Sequence, residues 1–347
     1  MLHVVTHKYE AIPKSVLEYG LSLLCLLYGI AGKAQQQGLF DTDEVLDVTL
    51  TTDIKNLLKT KKEGEYQPAG FLMEGKTYEI KVKARGNYRR ENCEFPPITL
   101  NFAKADFEHN SYMQLDKLKL VNTCNMQKSY EQYILSEYLV YRAFNLLSDK
   151  SFKVRLLRIS YVDSHDKIKT VTRYGFVIED QYMLAQRLGG MMIQTEGIRD
   201  RSTNKRQIVM LSIFQFMIGN TDWSIPRLHN VKLLKINQVN EPAPYVIPYD
   251  FDYTGMVDAS YATPSPILGI SSLRERLFWG KCYTEGELKM AIEEFKDKKK
   301  EFYQLYEDCE LLDKSNLLAS LDFWTVFIRS SKTKKSWKRY FIDQCKE

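Results

Sequence analysis

The segment RQIVMLSIFQFMIGN, Arg206–Asn220, restricts the fold more than any other stretch of the chain. Its apolar residues leave almost no polar face, so as a helix it must be buried on nearly all sides. Hiding such a helix takes layers of other elements around it. With 347 residues, 44% of them hydrophobic, the chain has the side chains to build them. Gly219-Asn220 reads as a helix stop, because glycine enters the left-handed conformation at little steric cost. The polar stretch beginning near Asp222 therefore emerges directly from a buried element.

Before that helix the chain is strand-like. DVTLTTDI, TYEIKVKARG and KLKLV alternate polar and apolar residues, and PPITLNF is a short apolar run. In KLKLV the alternation puts Lys117 and Lys119 on one face and Leu118 and Leu120 on the other. Ser129–Leu147 carries aromatic and aliphatic residues at helical spacing, with Glu137 on the apolar face. FKVRLLRISYV and KTVTRYGFVIED flank the turn-like DSHDK and predict a hairpin. After the buried helix come two strands, VKLLKI and YVIPYDF, and then a helical end, clearest as one helix over Gly286–Tyr306. This order predicts an α+β, two-lobed chain and excludes a doubly wound one. The expected division is a strand-rich N-terminal lobe over residues 35–180 and a mainly helical lobe over 181–347.

Residues 1–34 read as an export signal: Lys8 and Lys14 precede the apolar YGLSLLCLLYGIAG, and small residues at Gly32 and Ala34 suit cleavage after Ala34. The apolar core falls short of the roughly 20 residues a spanning helix needs, so a soluble periplasmic or secreted protein is expected, with no transmembrane segment in the mature chain. The mature chain would hold five cysteines, none in a C-x-x-C pair, which gives zinc and dithiol redox sites little support. Cys93 and Cys124 could bridge or remain buried thiols, and the odd count leaves at least one thiol unpaired within the chain. The net charge of +5 is mild and dispersed, with one dense run, RSSKTKKSWKRY, that reads as a solvated helix or tail. No nucleic-acid partner is expected.

The residues placed against these apolar elements carry the chemistry. Phosphoryl transfer needs a base for the acceptor hydroxyl, oxygen ligands for Mg²⁺ and a cation on the phosphates. Here Asp222 follows the buried helix in GNTDW, Asn230 precedes VKLL, and Asp250 and Asp252 lie in VIPYDFDYTG. That succession resembles the atypical kinases of the spore-coat CotH type, and KVKARGNYRR…PPITLNF is similar to the same family's R-G-N strand and the strand after it. The resemblance covers roughly Lys81–Gly255.

The resemblance implies a protein-kinase-like fold with bound ATP and Mg²⁺. Asp222 would be the catalytic base, Asn230 and Asp250 the metal ligands, and Asp252 a second or supporting ligand. Lys119, or next Lys117, would reach the phosphates, Glu137 would pair with that lysine, and Glu179 in FVIEDQY would fall at the adenine-holding hinge; Lys83 and Arg85 rank behind Lys119. Two departures stand beside this. Asp222 and Asn230 are eight residues apart where the usual kinase loop has five, and no G-x-G-x-x-G precedes the strands. The implied activity is phosphotransfer to a protein or cell-envelope acceptor. The alternative is a non-catalytic, pseudokinase-like binding or envelope-assembly protein. His229, beside Asn230, is expected as a backbone-bonded loop residue.

Overall fold

The computed structural model describes residues 38–107, 112, 115–238, 240, 242–330 and 333–345. The expected export segment lies outside the described residues. Among the described residues ten strands form two sheets. Seven of them, β1 (Leu46–Thr52), β2 (Gln67–Met73), β3 (Lys76–Ala84), β4 (Ile98–Asn101), β5 (Lys117–Val121), β6 (Val154–Asp163) and β7 (Val171–Ile178), close into a barrel in the order β1-β2-β3-β4-β5-β7-β6. Closure comes from a parallel pairing of β1 with β6, Leu46 opposite Leu157 and Thr52 opposite Asp163; the other pairings are antiparallel.

This corrects the expected two-lobed, kinase-like fold with a sheet as its N-terminal lobe. Closure leaves the seven-strand sheet without a free edge, so its backbone N–H and C=O groups are paired all round. The alternation that predicts strands is the same in an open sheet and in a barrel. The interior holds Val48, Leu50, Phe71, Val82, Leu100, Leu118, Leu120, Ile159 and Val177, one inward residue in two along each strand.

A second core lies outside the barrel. Helix α1 (Glu131–Leu147) packs on β6 and β7 with its apolar face. The short helix α2 (Gln181–Arg187) leads into β8 (Gly190–Ile193), which forms a three-stranded sheet with β9 (Val231–Ile236) and β10 (Tyr245–Pro248). Helix α3 (Lys205–Met217) is the predicted buried helix, and every residue from Gln207 to Met217 is buried. Its neighbours are α4 (Glu285–Asp297) and β10. The single helix expected over Gly286–Tyr306 is two, α4 and α5 (Lys299–Glu307), joined at Lys298. A last long helix, α6 (Lys314–Ser330), packs on α5. Among the described residues no helix is long and apolar enough to cross a membrane.

Candidate functional site

Gly219 ends α3 with φ +69°, and Asn220 then fixes the start of the Asp222 loop. The buried Asn220 carboxamide donates to Gln215 Oε1 (2.9 Å) and accepts the Asp222 N–H (2.8 Å). Ser224 and His229 exchange two backbone bonds of 3.0 and 2.9 Å, which folds the intervening four residues into a tight turn. The turn brings His229 and Asn230 back onto Asp222. His229 Nε2 lies 2.7 Å from Asp222 Oδ1, and Asn230 Nδ2 donates to Asp222 Oδ2 (3.0 Å) and to its carbonyl (2.8 Å). The eight-residue spacing is thus taken up by this turn, and the two side chains still meet. His229 bonds Asp222 through its ring as well as bridging Ser224 through its backbone.

The Asp250 loop is tied to the same place. Tyr249 N–H donates to Asn230 C=O (3.0 Å), and Asp250 N–H donates to the Tyr141 hydroxyl of α1 (2.8 Å). Asn230 and Asp250 both hold left-handed backbone, φ +52° and +64°. Such conformations cost about 1 kcal/mol or more in a residue with a side chain and gather where a site imposes them. β10 ends at Pro248, so Asp250 and Asp252 both lie in the loop beyond the strand. Asp250 is exposed, and Asp252 is buried, accepting from the Tyr261 hydroxyl (3.2 Å). Burial, then the Asp250 charge, pushes the Asp252 carboxyl up to about 6, and the charge of Asp222 adds to the rise. All four sequence-predicted residues, Asp222, Asn230, Asp250 and Asp252, therefore belong to one cluster.

Glu137 enters it from below. The side chain on α1 is 1% exposed, and its Oε1 is buried with no hydrogen-bond partner. Burial first, then Asp252, holds its carboxyl well above the usual range, while Arg89 and Arg85 oppose the rise. Glu137 thus lies among two arginines and two aspartates, and no ion pair joins it to Lys119 among the described residues. Arg85, just past β3, and Arg89, in the short helix Tyr88–Asn92, each bury an Nε without a partner. Arg89 Nη1 approaches Asp252 Oδ2 at 4.0 Å, and its Nη2 donates to Asn122 C=O. The Cys93–Cys124 disulfide clamps the two segments that carry Arg89 and Asn122.

Lys119 projects from the outer face of β5 beside this cluster. Burial, then Arg85, lowers its ammonium to about 8, with Asp250 opposing the fall. Lys119 and Lys232 sit over the Tyr249 ring at 4.8 and 5.6 Å. Together with Lys117, Ile178, Asp180 and Gln181 they line a cavity of about 190 Å³. Lys117, at its rim, lies 3.8 Å from Asp116 and is exposed. Lys83 turns instead to the Tyr66 ring.

Glu179 also borders the cavity, yet its side chain is committed elsewhere: Arg187 Nε and Nη2 donate to it at 2.8 Å each, and Lys153 N–H at 3.0 Å. Its backbone N–H bonds Lys153 C=O (2.9 Å). That arrangement fixes the strand end to α2.

Sequence reasoning missed Arg89, Tyr141 and Tyr261. YRREN has no apolar periodicity to mark Arg89 as buried, and Tyr141 has the spacing of a core aromatic. The only available signal was the carboxylate Glu137 on an apolar face, which called for nearby cations. No protein-family model and no curated protein matches the chain.

Proposed function

We propose that this cleft binds Mg²⁺ and ATP and transfers a phosphoryl group to a hydroxyl of a protein or cell-envelope acceptor. One observation carries the reading: the Tyr249–Asn230 backbone bond draws the Asp222–Asn230 loop and the Asp250–Asp252 loop together beside the cavity under Lys119. The resemblance of the Gly219–Gly255 segment to CotH-type kinases supports it, and it does not depend on a kinase fold.

The donors suit a hard cation. Asp250, Asp252 and the Asn230 amide offer oxygen atoms only, as Mg²⁺ prefers, and Glu137 Oε1 is a buried acceptor without a partner. When bound, Mg²⁺–ATP would supply the phosphoryl group and the charge that neutralises it. The chain's own residues would do the rest. Asp222, its two oxygens fixed by His229 and Asn230, keeps free lone pairs with which to orient an acceptor hydroxyl and take its proton. Lys119 would meet phosphate oxygens, whose charge favours its protonated form. Asn230 and the Tyr141 hydroxyl would position the two acidic loops. Two disulfides, Cys93–Cys124 and Cys282–Cys345, support the accompanying reading of an exported chain.

His229 engages the Asp222 carboxylate directly, which favours a second reading, a nucleotide-binding protein without turnover. Thermal unfolding with Mg²⁺–ATP and transfer of labelled γ-phosphate to casein or to the chain itself separate the two. The catalytic reading expects a stabilising shift, worth about 2.7 kcal/mol at 100 times the dissociation constant, and labelling. Asp222→Ala keeps the shift and loses the label, and Asp250→Ala loses both. A shift without labelling in the wild type gives the binding reading. Neither shift nor label sinks both.

A further inference from the structure

A larger groove, of about 850 Å³ and in the range of specific ligand sites, is bordered by Pro226 of the Asp222 turn. Its floor is apolar, with Ile208, Pro226 and Tyr283, and its walls are fixed. Tyr283 is hydrogen-bonded to Ser212 (2.9 Å), Cys282 is held in its disulfide, and Lys205 pairs with Glu287 at 2.5 Å across the mouth. Four cationic and two anionic side chains line it. The exposed side chains of Arg199 and Arg201 at its rim have no hydrogen bond or ion pair to any described residue, and neither has that of Arg227 beside Pro226. The groove is attached to the functional loop, since Gly197 N–H donates to Pro226 C=O at 2.7 Å. Pro226 is four residues from Asp222, which an extended chain spans in at most about 14 Å.

We infer that this groove docks an acidic segment of the acceptor protein, lying within about four residues of the hydroxyl presented to Asp222. The placement relative to Asp222 rests on the proposed phosphotransfer reading; the binding of the acidic segment does not. The occupant follows from charge and shape. Unpaired arginines meet glutamate or aspartate carboxylates in forked geometry, and an apolar floor takes the side chains between them. A concave site with fixed walls suits an extended peptide and not a flat anionic membrane.

The test uses the full mature chain, without nucleotide or metal. Anisotropy is recorded on a fluorescein-labelled peptide of alternating glutamate and leucine with a central serine, and on its lysine counterpart. The glutamate peptide is expected to bind, to weaken as salt rises, and to lose at least about tenfold in affinity with the double variant Arg199→Glu/Arg201→Glu. Lys299→Glu/Lys300→Glu, an equal double charge reversal at exposed residues outside the groove, should change affinity less than about twofold. Both side chains are exposed and bond no described residue, and the Arg199 C=O bond to Ser202 N–H is kept by any residue, so folding is retained, which circular dichroism checks. No binding at low salt, equal affinity in the double variant, equal binding of the lysine peptide, or binding to phosphatidylserine vesicles without peptide binding overturns the inference. Peptide binding in a protein that transfers no phosphate removes the phosphotransfer reading and leaves the docking groove standing.

Discussion

Replacing Glu179 by alanine separates a structural carboxylate from a cofactor contact. The side chain, 4% exposed, accepts three hydrogen bonds, two from Arg187 and one from Lys153 N–H. Breaking a buried ion pair by removing one partner costs about 3–5 kcal/mol, because the remaining charge is left uncompensated. Here the cost falls at the lower end. The Arg187 side chain keeps 26% exposure and its bonds to the Asp149 and Ser151 carbonyls. About 3 kcal/mol is therefore expected for Glu179→Ala, and roughly half for Glu179→Gln, which keeps one acceptor oxygen. Urea unfolding followed by tryptophan fluorescence measures both. Nucleotide affinity, read by thermal shift on each variant, should change less than about threefold, since the carboxylate is already saturated by protein donors. A loss below about 1 kcal/mol together with abolished nucleotide binding would refute this reasoning and return Glu179 to the cofactor.

Three further outcomes follow from the geometry. Gly219→Ala should cost about 2 kcal/mol or more, because φ is +69° and a Cβ would meet Leu273 C=O at 2.7 Å, whereas Gly269→Ala, at φ +67° with open space around it, should cost about 1. Asp252 has a folded value near 6 against an ordinary 3.8, so the folded state holds the extra proton between them and stability falls as pH rises from about 4 to about 6. Asp252→Asn should remove that component of the slope in urea midpoints taken across this window; an unchanged slope refutes the assignment to Asp252 and leaves the other raised carboxyls, Glu137 and Asp200. Replacing Cys93 and Cys124 together by serine opens a loop of 31 residues and should lower stability by about 3–4 kcal/mol, checked against the wild type before and after reduction.

The local pattern of the chain determined much on its own. Apolarity on every face of Arg206–Met217 required a buried helix, alternation predicted the barrel strands, and the order Asp222, Asn230, Asp250, Asp252 picked out residues that do assemble into one cluster. Each of these depends on side-chain periodicity or on a short stretch of chain, which sequence carries directly. Closure of the barrel was not legible, because β1 and β6 are joined by backbone bonds between residues more than a hundred positions apart, and their alternation would suit an open sheet equally well. The partner of Glu137 was not legible either. A carboxylate on an apolar helix face asks for cations, but whether Lys119 or Arg85 and Arg89 answer depends on how β3, β5 and α1 meet. The same holds for Glu179, whose committed bonds run to Arg187 and Lys153, and for His229, which a tight turn swings onto Asp222. Hydrogen bonds and charge pairs act over a few ångströms, so which groups share them is decided only when distant segments are brought together.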